Sequence, residues 1–238
     1  VLLALRAYTP AGQSPPGAHL KAAEDALAQA DDAYLHSAAE SLYRHWDLGI
    51  PEIAKGVPTG GDPHTWFNAE DGSKMVIIRP EPGDEEIPHP FAINSTPVSF
   101  DRYKAMVPVA GGIKGGKGPF SPVRGLNLFH AMLYCNALSE AEGLEPCYSP
   151  SPDGFGFWEP KPGYLDKTGY RVPTRAEMTL ASRGTHIECA VPAEVIDLID
   201  NYEWTRRNSD NQFHPAGALR PNEFGLFDSL SNYSEWLF

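Results

Sequence analysis

The sequence predicts a loop-rich α+β domain preceded by a short helical segment. Three observations carry this expectation. The 23 prolines and 22 glycines make up nearly a fifth of 238 residues, which calls for many turns and irregular connections rather than a helical bundle. Long apolar stripes at helical spacing are confined to the first fifty residues and a few later stretches. Between these lie short β-branched and aromatic runs bounded by proline and glycine, as short strands are. With 42% hydrophobic residues the chain can supply a core for one large domain with an appendage.

In residues 1–50, Ala22, Ala23, Ala26, Leu27 and Ala30 fall on one helical face, and Leu35, Ala38, Ala39, Leu42 and Trp46 on a second. Pro10, Pro15, Pro16 and Gly17 separate these two helices from a first helical stub. The segment reads either as an extension packed on the next domain or as the last unit of a helical-repeat region. Residues 51–73 are rich in proline and glycine and read as a linker, which places the main domain at 74–238.

Met75-Val76-Ile77-Ile78 and Phe91-Ala92-Ile93 are short strands, separated by an acidic proline-rich loop that reads as solvated surface. Ser99 is the expected N-cap of a short helix. Gly111 to Gly118 imitates a phosphate-binding loop, but Gly118 and Pro119 stand where a hydroxyl residue and a helix are needed, so it is a plain loop. Residues 126–138 form a helix with Leu126, Phe129, His130, Leu133 and Ala137 on one face. Cys135 on that helix reads as a small buried hydrophobe. Residues 143–169 are a long connection with five prolines, and Thr174 with Glu177 forms a capping box opening a helix that stops at Gly184.

A net charge of −12 repels phosphate backbones and anionic membranes, so neither nucleic acid nor a membrane is an expected partner. No apolar run is long enough to span a bilayer. Three cysteines at irregular spacing do not indicate a disulfide framework, and a cytoplasmic, reducing setting is expected. Because the chain starts on Val rather than Met, it is expected to be part of a longer protein whose other domains are further partners.

The most informative stretch is Pro221-Asn222-Glu223-Phe224-Gly225-Leu226-Phe227-Asp228, continuing through Asn232-Tyr233-Ser234-Glu235-Trp236. It describes a hydrophobic turn beside a polar loop whose amide, hydroxyl and carboxylate oxygens suit a hard cation, and its spacing alone also suits an ordinary loop. The stretch resembles the Pro-Asn-x-x-Gly-Leu-x-Asp signature of the formylglycine-generating enzyme, or sulfatase-modifying factor, family. Three further segments are similar in the same order: Pro97-Val98-Ser99 with its short helix, Asn127 to Ser139 after Pro122-Val123, and Tyr170-Arg171-Val172-Pro173-Thr174-Arg175-Ala176-Glu177 followed by Arg183-Gly184. The resemblance implies a C-type-lectin-like architecture with short antiparallel strands, in a divergent bacterial member of the family.

Departures from the pattern bear on function. Met178 and Thr179 stand where the family usually has Trp and Glu, and Ser231-Asn232-Tyr233 replaces Gly-Asn-Val. The resemblance places the copper-binding cysteine pair of catalytic members after the position of Phe238, and Cys135, Cys147 and Cys189 match none of its catalytic positions. Copper is therefore not expected here. The resemblance implies calcium ligation at Glu235, with Asn208 and Asn232 as further oxygen donors, and a ligand groove lined by Trp236 and Tyr233. The expected function is a non-catalytic ligand- or protein-binding domain within a larger bacterial protein, its partner a protein or peptide, with the variable protein of a diversity-generating retroelement as one form. The alternative is a copper-dependent oxidase that converts a protein cysteine to formylglycine.

Overall fold

The computed structural model describes residues 2–28, 32–51, 65–108, 112–116, 118, 120–152, 157–183, 198–230, 232 and 236–238. A 3-10 turn at Leu2–Ala7 leads into helices α1 (Gly17–Ala28) and α2 (Ala33–His45). Asp32 caps α2 by accepting from the Leu35 N–H. The two helices bury the predicted stripes against each other: Ala23, Ala26 and Leu27 meet Ala39, Leu42, Tyr43 and Trp46.

Strands β1 (Thr65–Phe67), β2 (Lys74–Ile78) and β3 (Phe91–Asn94) form an antiparallel sheet in that order, with Val76 between Thr65 and Ile93. β1 lies within the stretch read as linker, of which residues 52–64 fall outside the described residues. Val76 and Ile78 pack with Ala181 and Leu226, so the central strand touches the last helix and the C-terminal turn.

Helix α3 (Phe100–Met106) starts at the predicted Ser99 cap, whose hydroxyl accepts from the Arg102 N–H. Helix α4 (Leu128–Ala141) is capped by Asn127, with His130 completing the reciprocal pair. Its predicted face is corrected by the packing. Phe129 stays 37% exposed, while Met132, Tyr134, Asn136, Leu138 and Ser139 are buried. The reason is that α4 is covered on two sides, by Tyr103 and Ile113 on one and by Cys147, Tyr148 and Val172 on the other. Buried Asn136 satisfies both ends of its amide on the backbone of Tyr148.

The connection 143–169 is not wholly irregular. It carries a two-stranded ribbon, β4 (Tyr148–Pro150) with β5 (Trp158–Pro160), and a 3-10 turn at Tyr164–Asp166. The short strands escape detection from sequence because both end in proline. Helix α5 (Arg175–Arg183) opens on the predicted box: the Thr174 N–H donates to the Glu177 carboxylate at 2.8 Å and the Glu177 N–H to the Thr174 hydroxyl at 3.2 Å. Gly184, its predicted stop, lies outside the described residues. No helix among the described residues is long and apolar enough to cross a membrane.

Candidate functional site: the C-terminal turn and its aromatic face

Asn222 is 1% exposed and organises the C-terminal turn from inside it. Its side-chain oxygen accepts from the N–H groups of Phe224 (3.1 Å) and Leu226 (3.0 Å), and its amide nitrogen donates to the Ala181 carbonyl at 2.9 Å. One residue thus closes the turn and ties it to α5. Gly225 follows with φ 85°, a left-handed conformation that glycine adopts freely. Its carbonyl accepts from the Ser37 hydroxyl of α2 at 2.7 Å. Phe227 is buried and its N–H donates to Ser95 after β3, and Asp228 accepts from the Gly217 N–H. The signature is therefore where α2, the sheet and α5 converge.

Beyond this turn Asn208 and Asn232 are both tied to the loop around Trp204. Asn208 is spent on its own loop: its oxygen accepts from the Thr205 N–H at 2.7 Å and its nitrogen donates to the carbonyls of Asp200 and Glu203. The Asn232 amide is paired both ways with the backbone of His214. Glu235 and Tyr233 lie outside the described residues. A calcium site needs six to eight oxygens free to turn inward. The Asn208 oxygen accepts from both the N–H and the hydroxyl of Thr205, whereas the Asn232 oxygen accepts one N–H and keeps a lone pair. Among the described residues no group of three or more His, Cys, Asp or Glu is placed to hold a metal.

The two described thiols, Cys135 and Cys147, lie in one apolar cluster. Burial pushes the Cys135 thiol up to about 12, and Cys147, with no exposed surface, is also raised by burial. Cys189 lies outside the described residues.

Trp236 stands apart. It is 46% exposed, and its indole N–H donates to the Leu126 carbonyl at 3.0 Å. Two residues upstream on the same segment, the Arg124 guanidinium lies 4.7 Å from the ring centroid of Phe213, which is 57% exposed. The segment itself is held by reciprocal backbone bonds between Arg124 and Lys114 and by the Val123 N–H donating to Val98. Next to Phe213, His214 stacks on Trp204 with centroids 3.6 Å apart. Trp236 and the Arg124–Phe213 pair are thus attached to one hydrogen-bonded segment with both aromatics about half exposed, and Asn232 is bonded to His214 beside Phe213. Phe213 and Arg124 were not singled out in the sequence; a lone aromatic inside the polar run Asp210-Asn211-Gln212-Phe213-His214 was the available signal.

Chaperone protein LppX of Paenibacillus barcinonensis is 30% identical over 148 residues, 51% of this chain and 53% of that relative. The chain therefore spans about half the length of that relative. Treponema denticola variable protein 1 superposes with a TM-score of 0.52 at 22% identity, over 73% of this chain and 75% of that one, a likeness of fold. The crystal structure of CarF gives a TM-score of 0.48 at 25% identity, covering 63% of this chain and 68% of that one. The sequence model of the sulfatase-modifying factor enzyme 1-like domain matches residues 67–238, the span that holds β2 and β3, the capping box and the Asn222 turn. The chain belongs to the sulfatase-modifying factor family and has its loop-rich C-type-lectin-like fold, preceded by a short helical segment.

Proposed function

We propose that this domain binds a segment of a protein partner on the surface formed by Trp236, Phe213 and Arg124. The observation that carries the reading is that two large aromatics, one with a stacked guanidinium, stay about half exposed while pinned to a hydrogen-bonded segment. Trp and Arg dominate binding hot spots, and rigid mounting means little entropy is lost on contact. A relative named as a chaperone protein, matched over about half its length, is a further reason to look for a protein partner. Diversified variable-protein function is a narrower form of the same proposal. The oxidase alternative is the second reading and is decided separately by oxygen uptake.

A random-peptide display library panned against the protein tests this. Enriched peptides are expected to bind the wild type, and Trp236→Ala and Phe213→Ala to weaken them at least tenfold, about 1.4 kcal/mol each, with unchanged thermal melts. Peptides that bind both variants as well as wild type place the interface elsewhere. With copper(I) and a cysteine-containing peptide, oxygen uptake is expected to match a metal-only blank. Turnover above that blank would restore the oxidase reading.

A further inference from the structure

A second candidate site lies where the helical segment meets the sheet. A cavity of about 250 Å³ opens between α2, the start of β2 and the loops around residues 95–102 and 120. Its walls include Arg44, Lys74 and Arg102, with Glu40 as the one carboxylate. Phe67, Phe120 and Ile50 supply apolar surface. In a chain of net charge −12, three cations converging on one acid is a marked local reversal of sign.

The geometry shows how these charges are held. Glu40 is divided between two cations, with one oxygen 3.2 Å from Lys74 Nζ and the other 3.1 Å from Arg44 Nη2. Lys74 also donates to the Ser37 hydroxyl and lies 3.2 Å from His36 Nδ1. Arg102 is half-buried and its Nη2 donates to the Gly72 carbonyl at 2.9 Å, which aims the side chain along the cavity wall. The neighbouring carboxylate, Asp71, accepts from the Tyr134 hydroxyl and from Ser73. Arg44 is sandwiched between Phe120 and Phe227, with its carbon 5.0 and 5.2 Å from the two ring centroids. Its Nε and Nη1 are buried and have no hydrogen-bond partner among the described residues.

Among the described lining residues three cations face one carboxylate, so positive groups outnumber negative ones on this wall. Leaving buried N–H groups unpaired costs about 1–3 kcal/mol per group, and native proteins rarely accept this without a role for the site. Guanidinium and ammonium groups beside aromatic walls suit a ligand with an anionic head and an apolar body. The volume restricts that body to about the size of one ring, since drug-sized ligands fill roughly 300–1,000 Å³.

We propose that this cavity binds a small organic anion, a carboxylate or phosphate whose apolar portion packs between Phe67 and Phe120. The head sits among Arg102, Lys74 and Arg44. Part of the wall comes from α2, so the helical segment and the family domain build the site together.

Benzoate, phenyl phosphate, inorganic phosphate and the neutral benzyl alcohol are the probes, read by thermal melting and titration calorimetry. At about ten times its Kd, benzoate or phenyl phosphate is expected to raise Tm by about 3 °C. The stronger of these two identifies the preferred head, and inorganic phosphate alone is expected to bind at least tenfold more weakly than phenyl phosphate. Arg102→Leu and Phe120→Ala should each weaken the preferred ligand at least tenfold; the second removes only a partly exposed ring, so the test stands even if the first folds poorly. An equal shift with benzyl alcohol, an undiminished shift in both variants, or no shift with any anion overturns the proposal.

Discussion

Glu40→Ala is expected to lower the unfolding free energy by about 3–5 kcal/mol, the cost of stranding buried charges. Glu40, Lys74 and His36 are 4%, 3% and 1% exposed, and Glu40 is the carboxylate shared by Lys74 and Arg44. Removing it leaves two cations in a region that burial has already made hostile to charge; burial pulls the Lys74 ammonium below the ordinary lysine range. Replacing the pair by apolar groups, in Glu40→Ala with Lys74→Met, should recover much of the loss, because the penalty comes from the stranded partner rather than from the missing attraction. Urea denaturation of the three variants against wild type measures this. Equal losses in the single and double variants would show that packing around Glu40, not charge, sets its effect.

The same group makes a prediction in pH. Burial alone would raise the Glu40 carboxyl, but Lys74, the His36 hydrogen bond and Arg44 outweigh it and hold the group well below the usual carboxylate range. Because the folded value lies below the unfolded one, about 4.3, the contribution is complete above that pH. It drains away as pH falls toward the folded value. Wild type should therefore lose urea resistance below about pH 4.3 more steeply than the double variant.

Gly225→Ala is expected to destabilise by about 2–5 kcal/mol, from two additive sources. Alanine at φ 85° carries a left-handed penalty of about 1–2 kcal/mol. Its Cβ would also stand 2.6 Å from the carbonyl oxygen of Ala33, at the first turn of α2. Backbone cannot rotate aside as a side chain can, so α2 must shift, at an overpacking cost of about 1–3 kcal/mol. Gly83 separates the two sources: it has φ 92° but nothing within 4 Å of its Cβ position. Gly83→Ala should show the conformational cost alone. If both variants lose the same stability in thermal and urea melts, the close approach of the turn to α2 contributes nothing.

The elements read correctly from sequence are those whose causes lie within a few residues. Ser99 and the Thr174–Glu177 box cap their helices because donor and acceptor are three positions apart, and α1 and α2 pack on the predicted stripes because burial there follows helical periodicity. The family signature around Asn222 was equally visible, although its role as the junction of α2, the sheet and α5 was not. The face of α4 was misjudged because two separate clusters cover it, so no single stripe describes its burial.

For the candidate sites the division is sharper. Trp236 could be named from its place in the signature, and its resemblance to a groove residue was legible. That Arg124 lies over Phe213, and that Trp236 is pinned to Leu126, depends on contacts across 89 and 110 positions of sequence respectively. The cavity between α2 and β2 was hidden more completely. His36, Ser37, Glu40 and Ser41 form the polar side of an amphipathic helix, the side that periodicity assigns to water. The fold instead buries it against Lys74 and against the carbonyls of Leu219 and Gly225. The sequence by itself determined the family, the capped helices and the turn that joins them, since these rest on short-range hydrogen bonding and apolar spacing. Only the tertiary structure decided which charges are buried and which aromatics face outward, because burial is a property of distant segments brought together.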